Sequence, residues 1–171
     1  MRHHVCPDGT KMKGKAKTRL MSYALLLCAS VVSANDDTPW GRADRLEIEY
    51  EPQKVVYDLT SGDKAMLSGV LDRVAHLYKL YDSDTFDSSI IIVIHGDAIP
   101  VFAIQELEKN RDIMTRAQSL MVGTSIEFRM CSAAARLLNY EAKDIHGFVT
   151  MVPMADAEII RLQHEGYAYM Q

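Results

Sequence analysis

Three groups of side chains that could do chemistry each follow an apolar run of strand length. Cys131 follows the run 125–130, His95 ends the run 89–95, and the polar turn 58–62 closes the run that begins at Gln53. In an open α/β sheet, ligands bind beyond the carboxyl ends of the strands. We therefore expect these three groups to lie near one working crevice.

Cys131 is the strongest candidate for a reactive residue, because of the face of the strand on which it lies and because a predicted helix follows it. The alternation along its strand places Glu127, Arg129 and Cys131 on one face, away from the apolar side chains between them. A helix N-terminus favours an anion by only ~0.3–1 kcal/mol. Arg129 would therefore have to add to the stabilisation of a thiolate. The alternative is an inert cysteine that packs as a small apolar residue.

His95 is the second candidate. A histidine at this position could orient a ligand or carry a proton near neutral pH, although at a strand end it is more often structural. The other histidines have no spacing typical of a metal site, so we predict no metal centre. The turn 58–62 resembles a phosphate loop only weakly, and Asp63 would repel phosphate. Without a Walker or GxGxxG pattern, we predict no flavin or nucleotide cofactor.

The segment 1–34 has the layout of a secretory signal peptide. Basic residues between positions 11 and 19 precede the apolar run 20–32, and small residues follow it. We predict cleavage after Ala34, a periplasmic or secreted protein, and no membrane span in the mature form, because the run is shorter than the ~18 residues that a span needs. A basic leader with an apolar patch is the alternative.

The charge and the cysteine content of residues 35–171 limit which partners this part of the chain can bind and which states its thiol can adopt. It holds 13 basic and 22 acidic residues, so its own field opposes binding to a phosphate backbone, and we predict no nucleic-acid partner. Cys131 is its only cysteine. An internal disulfide is then impossible, and the thiol is either buried, paired between chains, or reactive.

Strand and helix patterns alternate from Gln53 onwards, which predicts a parallel α/β sheet with right-handed crossovers. The segment 35–52 is polar and acidic, with an alternation at 46–50 that is typical of a short strand, and we interpret it as an N-terminal arm. The predicted strands are 53–59, 89–95, 125–130, 148–152 and 167–170, and the predicted helices begin near 63, 104, 132 and 155.

Seven short segments carry a resemblance to a known family. They are KVVYD and SGD at 54–63, HG at 95–96, FRMC at 128–131, VP at 152–153, AEIIRLQ at 157–163 and EGYAY at 165–169. Together they resemble the DsrE/DsrF-like sulfur-relay family, in particular its short exported members. The resemblance implies a flavodoxin-like three-layer α/β/α domain over 53–171, with a mostly parallel five-stranded sheet, that assembles into trimers or hexamers.

The resemblance also implies a function. In the sulfur-relay members a cysteine after the third strand accepts sulfur as a persulfide and passes it on, and Cys131 matches that position. The chain is then expected to be a sulfur carrier or sulfurtransferase with a sulfur donor and a sulfur acceptor as partners, and His95 is expected to line the same crevice. The alternative is a non-catalytic oligomeric binding or scaffold module in which Cys131 only packs.

Overall fold

The computed structural model describes residues 38–171. The predicted signal peptide 1–34 and its cleavage after Ala34 lie outside the described residues. The unit that contains the sheet spans Leu46–Gln171. Within residues 38–171, no helix combines the length and the apolar character that crossing a membrane requires.

The alternating residues at 46–50, in the segment interpreted as an N-terminal arm, do not form a strand. Residues 41–53 contain no helix or strand, and the side chains of Leu46, Ile48 and Tyr50 are mostly exposed. Three alternating apolar residues without a neighbouring strand leave their backbone groups unpaired, so they gain nothing from a strand conformation.

The sheet has five strands, all parallel, in the order β4-β3-β2-β1-β5. The strands are β1 Lys54–Leu59, β2 Ser89–Ile94, β3 Ile126–Cys131, β4 Val149–Val152 and β5 Ala168–Met170. The helices are α1 Lys64–Leu80, α2 Leu107–Met121, α3 Ser132–Leu137 and α4 Ala155–His164. The sequence SIIIVI of β2 is buried on both faces, as expected for a central parallel strand.

The strand order explains why helices cover both faces. From β1 to β4 the chain moves steadily towards one edge of the sheet, and then α4 carries it back across three strands to β5 at the other edge. Since crossovers between parallel strands are right-handed, reversing the direction places α4 on the opposite face from α1 and α2. The predicted flavodoxin-like three-layer α/β/α fold is confirmed.

The two faces bury unequal cores. The larger core lies under α1 and α2 and includes three aromatic rings, Phe102, Phe128 and Phe148, whose centroids are 5.8–6.4 Å apart. In the described part of the chain, the smaller core lies under α4, with Ala133 and Ala134 of α3 packed against its end. Its members are Val56, Ile91, Val93, Cys131, Ala155, Ile159 and Leu162. One helix is too narrow to cover five strands, so polar side chains at the ends of this face remain within reach of solvent.

A 3-10 segment that the sequence patterns did not predict follows β2. It runs over Gly96–Phe102 and continues at Ile104–Glu106 before α2 begins at Leu107. Gly96 adopts a left-handed φ of 60°, which glycine tolerates without strain. Pro100 lies inside the segment and has no N–H to donate, which disfavours a continuous α-helix. The segment fixes the direction in which the chain leaves His95.

Candidate functional site at the carboxyl ends of the strands

Cys131 lies at the end of β3 on the face that α4 covers. The face was predicted correctly, but the thiol is not on a solvated surface, because only 4 % of the residue is exposed and it packs within the smaller core. Its Sγ accepts a hydrogen bond of 3.3 Å from the backbone N–H of Ala134. Cys131 thus acts as the N-cap of α3, in the way that a serine or aspartate side chain usually does.

Arg129 shares this face but is engaged elsewhere. Its guanidinium donates to Glu127 Oε2 at 2.7 and 3.1 Å and also pairs with Glu158 on α4. Within residues 38–171 no hydrogen bond joins Arg129 to the thiol. Its charge is compensated by two carboxylates, so the structure offers no support for the predicted role of Arg129 as a thiolate stabiliser.

His95 directly follows β2 and lies level with Cys131. The last paired positions of β2 and β3 are Ile94 and Met130, so the next residue on each strand is His95 and Cys131. His95 Nε2 lies 2.6 Å from Asp58 Oδ1, and 24 % of the histidine side chain and 12 % of the aspartate side chain are exposed. A short contact to a largely buried carboxylate fixes the orientation of the imidazole ring.

A tyrosine on the edge strand completes this arrangement. The hydroxyl of Tyr169, on β5, donates to Asp58 Oδ2 at 2.6 Å. This hydrogen bond to Asp58, together with desolvation, raises the pKa of Tyr169. A chain of hydrogen bonds therefore connects Tyr169, Asp58 and His95 across β5, β1 and β2.

The sequence patterns placed both His95 and the turn 58–62, which begins at Asp58, near one crevice, but they did not predict the direct contact between Asp58 and His95. Tyr169 could not have been found in this way, since its contact with Asp58 depends on β5 pairing with β1 rather than with β4.

Cys131 and His95 open onto one crevice of about 220 Å³. The crevice is lined by His95, Cys131, Ala133, Ala134, Leu137, Met154, Ala155 and Asp156. It lies where the chain leaves β2 and β3 and where α4 begins. A larger hollow of about 520 Å³ runs along α2, but neither a thiol nor an imidazole lines it. The small crevice brings together the thiol and one imidazole that the sequence patterns singled out.

The crevice offers a nucleophile and an oriented base, and the described part of the chain offers little for a cofactor. In residues 38–171 no group of three or more His, Cys, Asp or Glu side chains is arranged to hold a metal ion. Directly after the turn 58–62, the carboxylate of Asp63 accepts a hydrogen bond of 2.9 Å from the backbone N–H of Met66. This N–H is one of the donors at the start of α1 that a phosphate would need, and it is already hydrogen-bonded.

The comparisons with known proteins agree with the fold. A profile of the DsrE/DsrF-like family matches residues 55–171. No curated protein matches the chain significantly. The solved structure of the protein of unknown function MTH1491 from Methanobacterium thermoautotrophicum is similar with a TM-score of 0.55 and 22 % identity, covering 69 % of this chain and 97 % of that chain. At this identity the likeness establishes the shared fold. Because the family profile spans more than half of the sequence, the chain belongs to the DsrE/DsrF-like family.

Proposed function

We propose that this chain is a sulfur carrier that holds sulfane sulfur as a persulfide on Cys131 and transfers it to an acceptor thiol. The observation that carries the proposal is the crevice in which Cys131 lies beside His95, whose ring is held by Asp58. Family membership supports the proposal, because the sulfur-relay members use a cysteine at this position.

The loading step needs a thiolate and a leaving group. Cys131 Sγ attacks the sulfane sulfur of a donor R–S–SH, an Sγ–S bond forms, and the donor S–S bond breaks. The thiolate R–S⁻ leaves with the electron pair of that bond and takes up a proton. The sulfur atom keeps its oxidation state, so no external oxidant or reductant is required.

His95 is suited to carry the protons of this exchange. With Nε2 directed at Asp58, the other ring nitrogen is the one left to accept or return a proton in the crevice. In unloading, an acceptor thiol gives its proton to His95, and the resulting thiolate attacks the outer sulfur of the persulfide. The thiolate of Cys131 then leaves and retains the hydrogen bond from Ala134.

The second candidate function is a non-catalytic oligomeric module in which Cys131 only packs. The observation in its favour is the exposure of only 4 % at Cys131, together with its contacts in the smaller core. Export and assembly into trimers or hexamers also belong to the proposal, and rest on the layout of 1–34 and on the family resemblance.

Peptide mass spectrometry after non-reducing digestion separates the two functions. We expect the folded protein, incubated with polysulfide or with 2-aminoethyl persulfide, to gain one sulfur atom on the peptide that contains Cys131, and Cys131→Ser to gain none there. Circular dichroism of both forms controls for folding. If Cys131 stays unmodified in the folded protein and reacts only after denaturation, the carrier function is wrong and the packing role remains.

A further inference from the structure

We infer that the crevice selects small sulfane-sulfur donors without net negative charge, favouring amine-bearing persulfides over thiosulfate and other anions. This inference rests on the proposed function, because it concerns the substrate of the same site. Charge, shape and size of the crevice each contribute to it.

The charges that face the crevice are mostly negative. Among the described residues, the titratable groups that line it apart from the thiol are His95 and Asp156, and no lysine or arginine of residues 38–171 lines it. The Asp156 carboxylate makes no hydrogen bond or ion pair with any described residue, so no positively charged side chain within residues 38–171 neutralises it. Asp58 lies behind His95, so the two aspartates outweigh the imidazole whether or not it is protonated.

The charged groups on the neighbouring helices do not reverse this balance. Arg136 on α3 lines a separate hollow, together with Tyr140 and Glu141. Arg129 and Arg161 are both paired with Glu158. The start of α4 has no side-chain cap and contributes a partial positive charge of about half a unit. Asp156 lies in the first turn of α4 and more than offsets it.

The remaining wall of the crevice is apolar and its volume is small. Leu137 is 85 % exposed and Met154 is 48 % exposed, and both line the opening. The volume of about 220 Å³ is well above the ~10–15 Å³ that a single water molecule needs by the same measure. This is enough for a short alkyl persulfide. Its sulfur would point to Cys131, its methylene groups would contact Leu137 and Met154, and its ammonium group would pair with Asp156.

Three donors of equal length and different charge test the inference on the full chain. The donors are 2-aminoethyl persulfide, 2-hydroxyethyl persulfide and carboxymethyl persulfide, with thiosulfate as a fourth. The readout is the rate of persulfide formation on the Cys131 peptide at low ionic strength. We expect the amine to react fastest and the carboxylate slowest, with about a fivefold to tenfold difference between them, because the two donors differ by two units of charge beside the exposed carboxylate of Asp156.

A matched pair of variants assigns the selectivity to Asp156. Asp156→Asn should bring the amine and carboxylate rates towards that of the hydroxyl donor, and 1 M salt should do the same by screening. Asp112→Asn makes the same change on the exposed surface of α2, outside the crevice, and should leave the ratio unaltered.

The possible results separate this inference from the proposed function. Equal rates for all donors, or an unchanged ratio in Asp156→Asn, would overturn the charge selectivity while persulfide on Cys131 still supports the carrier function. Absence of persulfide with every donor would overturn both.

Discussion

Gly62 gives the sharpest test of the geometry around the crevice. It precedes α1, and a Cβ atom at this position would lie 2.3 Å from the backbone oxygen of Asp97 and 3.2 Å from its carbonyl carbon. The first distance is about 1 Å short of an ordinary contact. Since Asp97 lies two residues after His95, Gly62→Ala has to push the segment that leaves His95 outwards.

The expected effects follow from that displacement. Overpacking of this kind costs about 1–3 kcal/mol of the free energy of unfolding, which is measurable by urea denaturation followed by circular dichroism. A shift of ~1 Å in a catalytic group can lower a rate by up to about 100-fold. We therefore expect Gly62→Ala to load sulfur on Cys131 more slowly than the parent protein under conditions in which both are folded.

Gly69→Ala is the matched control. Gly69 lies within α1, and a Cβ atom there would have no neighbour within 4 Å. Replacing a helix-interior glycine by alanine stabilises by about 0.5–1 kcal/mol, and the loading rate should not change. If Gly62→Ala has the stability and the sulfur-loading rate of the parent protein, the close approach between position 62 and the backbone of Asp97 is refuted. Lower stability with an unchanged rate would retain the contact but show that it does not position His95.

Three further predictions concern the contacts that hold the sheet together. Phe128→Ala should lower the free energy of unfolding by about 3–5 kcal/mol in urea titrations, because Phe128 is fully buried between two aromatic rings. The hydrogen bond from Arg161, followed by that from Arg129, holds the pKa of Glu158 low against the effect of burial. This stabilisation is present above about pH 4.3 and is lost as the pH falls through the lower pKa of the folded state, so Glu158→Gln should make unfolding less dependent on pH in that acid range. Tyr169→Phe removes a donor from Asp58 and should cost about 1 kcal/mol, and it should remove one of the late tyrosine ionisations from an ultraviolet pH titration.

Periodicity in the sequence predicted most of the fold. An apolar run without alternation identified β2 as central, and the alternation in β3 assigned Cys131 to the correct face. The strands and helices begin and end within a few residues of the predicted bounds. These signals are local, because each depends only on the spacing of apolar residues within one helix or strand.

The missed features depend on contacts between distant segments. Alternation shows that Cys131 lies opposite the larger core, but not that α4, which starts at Ala155, covers that end of the face. The hydrogen bond between Asp58 and Tyr169 joins residues 111 positions apart and requires the strand order of the whole sheet. The pairing of Arg129 with Glu158 was missed for the same reason, because Glu158 lies on α4, far from Arg129 in the sequence. Alternation alone suggested that Arg129 would act on the thiol.

The uneven coverage of the sheet explains how a buried cysteine can also line a crevice. Within residues 38–171, α4 is the helix that packs over this face, and the smaller core ends at its first turn, where Cys131 lies. Cys131 belongs to this core together with Ala155, and the same residue forms part of the crevice wall beside His95. A persulfide in this position is shielded from bulk solvent on the α4 side and meets small molecules on the other. Low exposure of Cys131 is thus compatible with a carrier that admits small donors only.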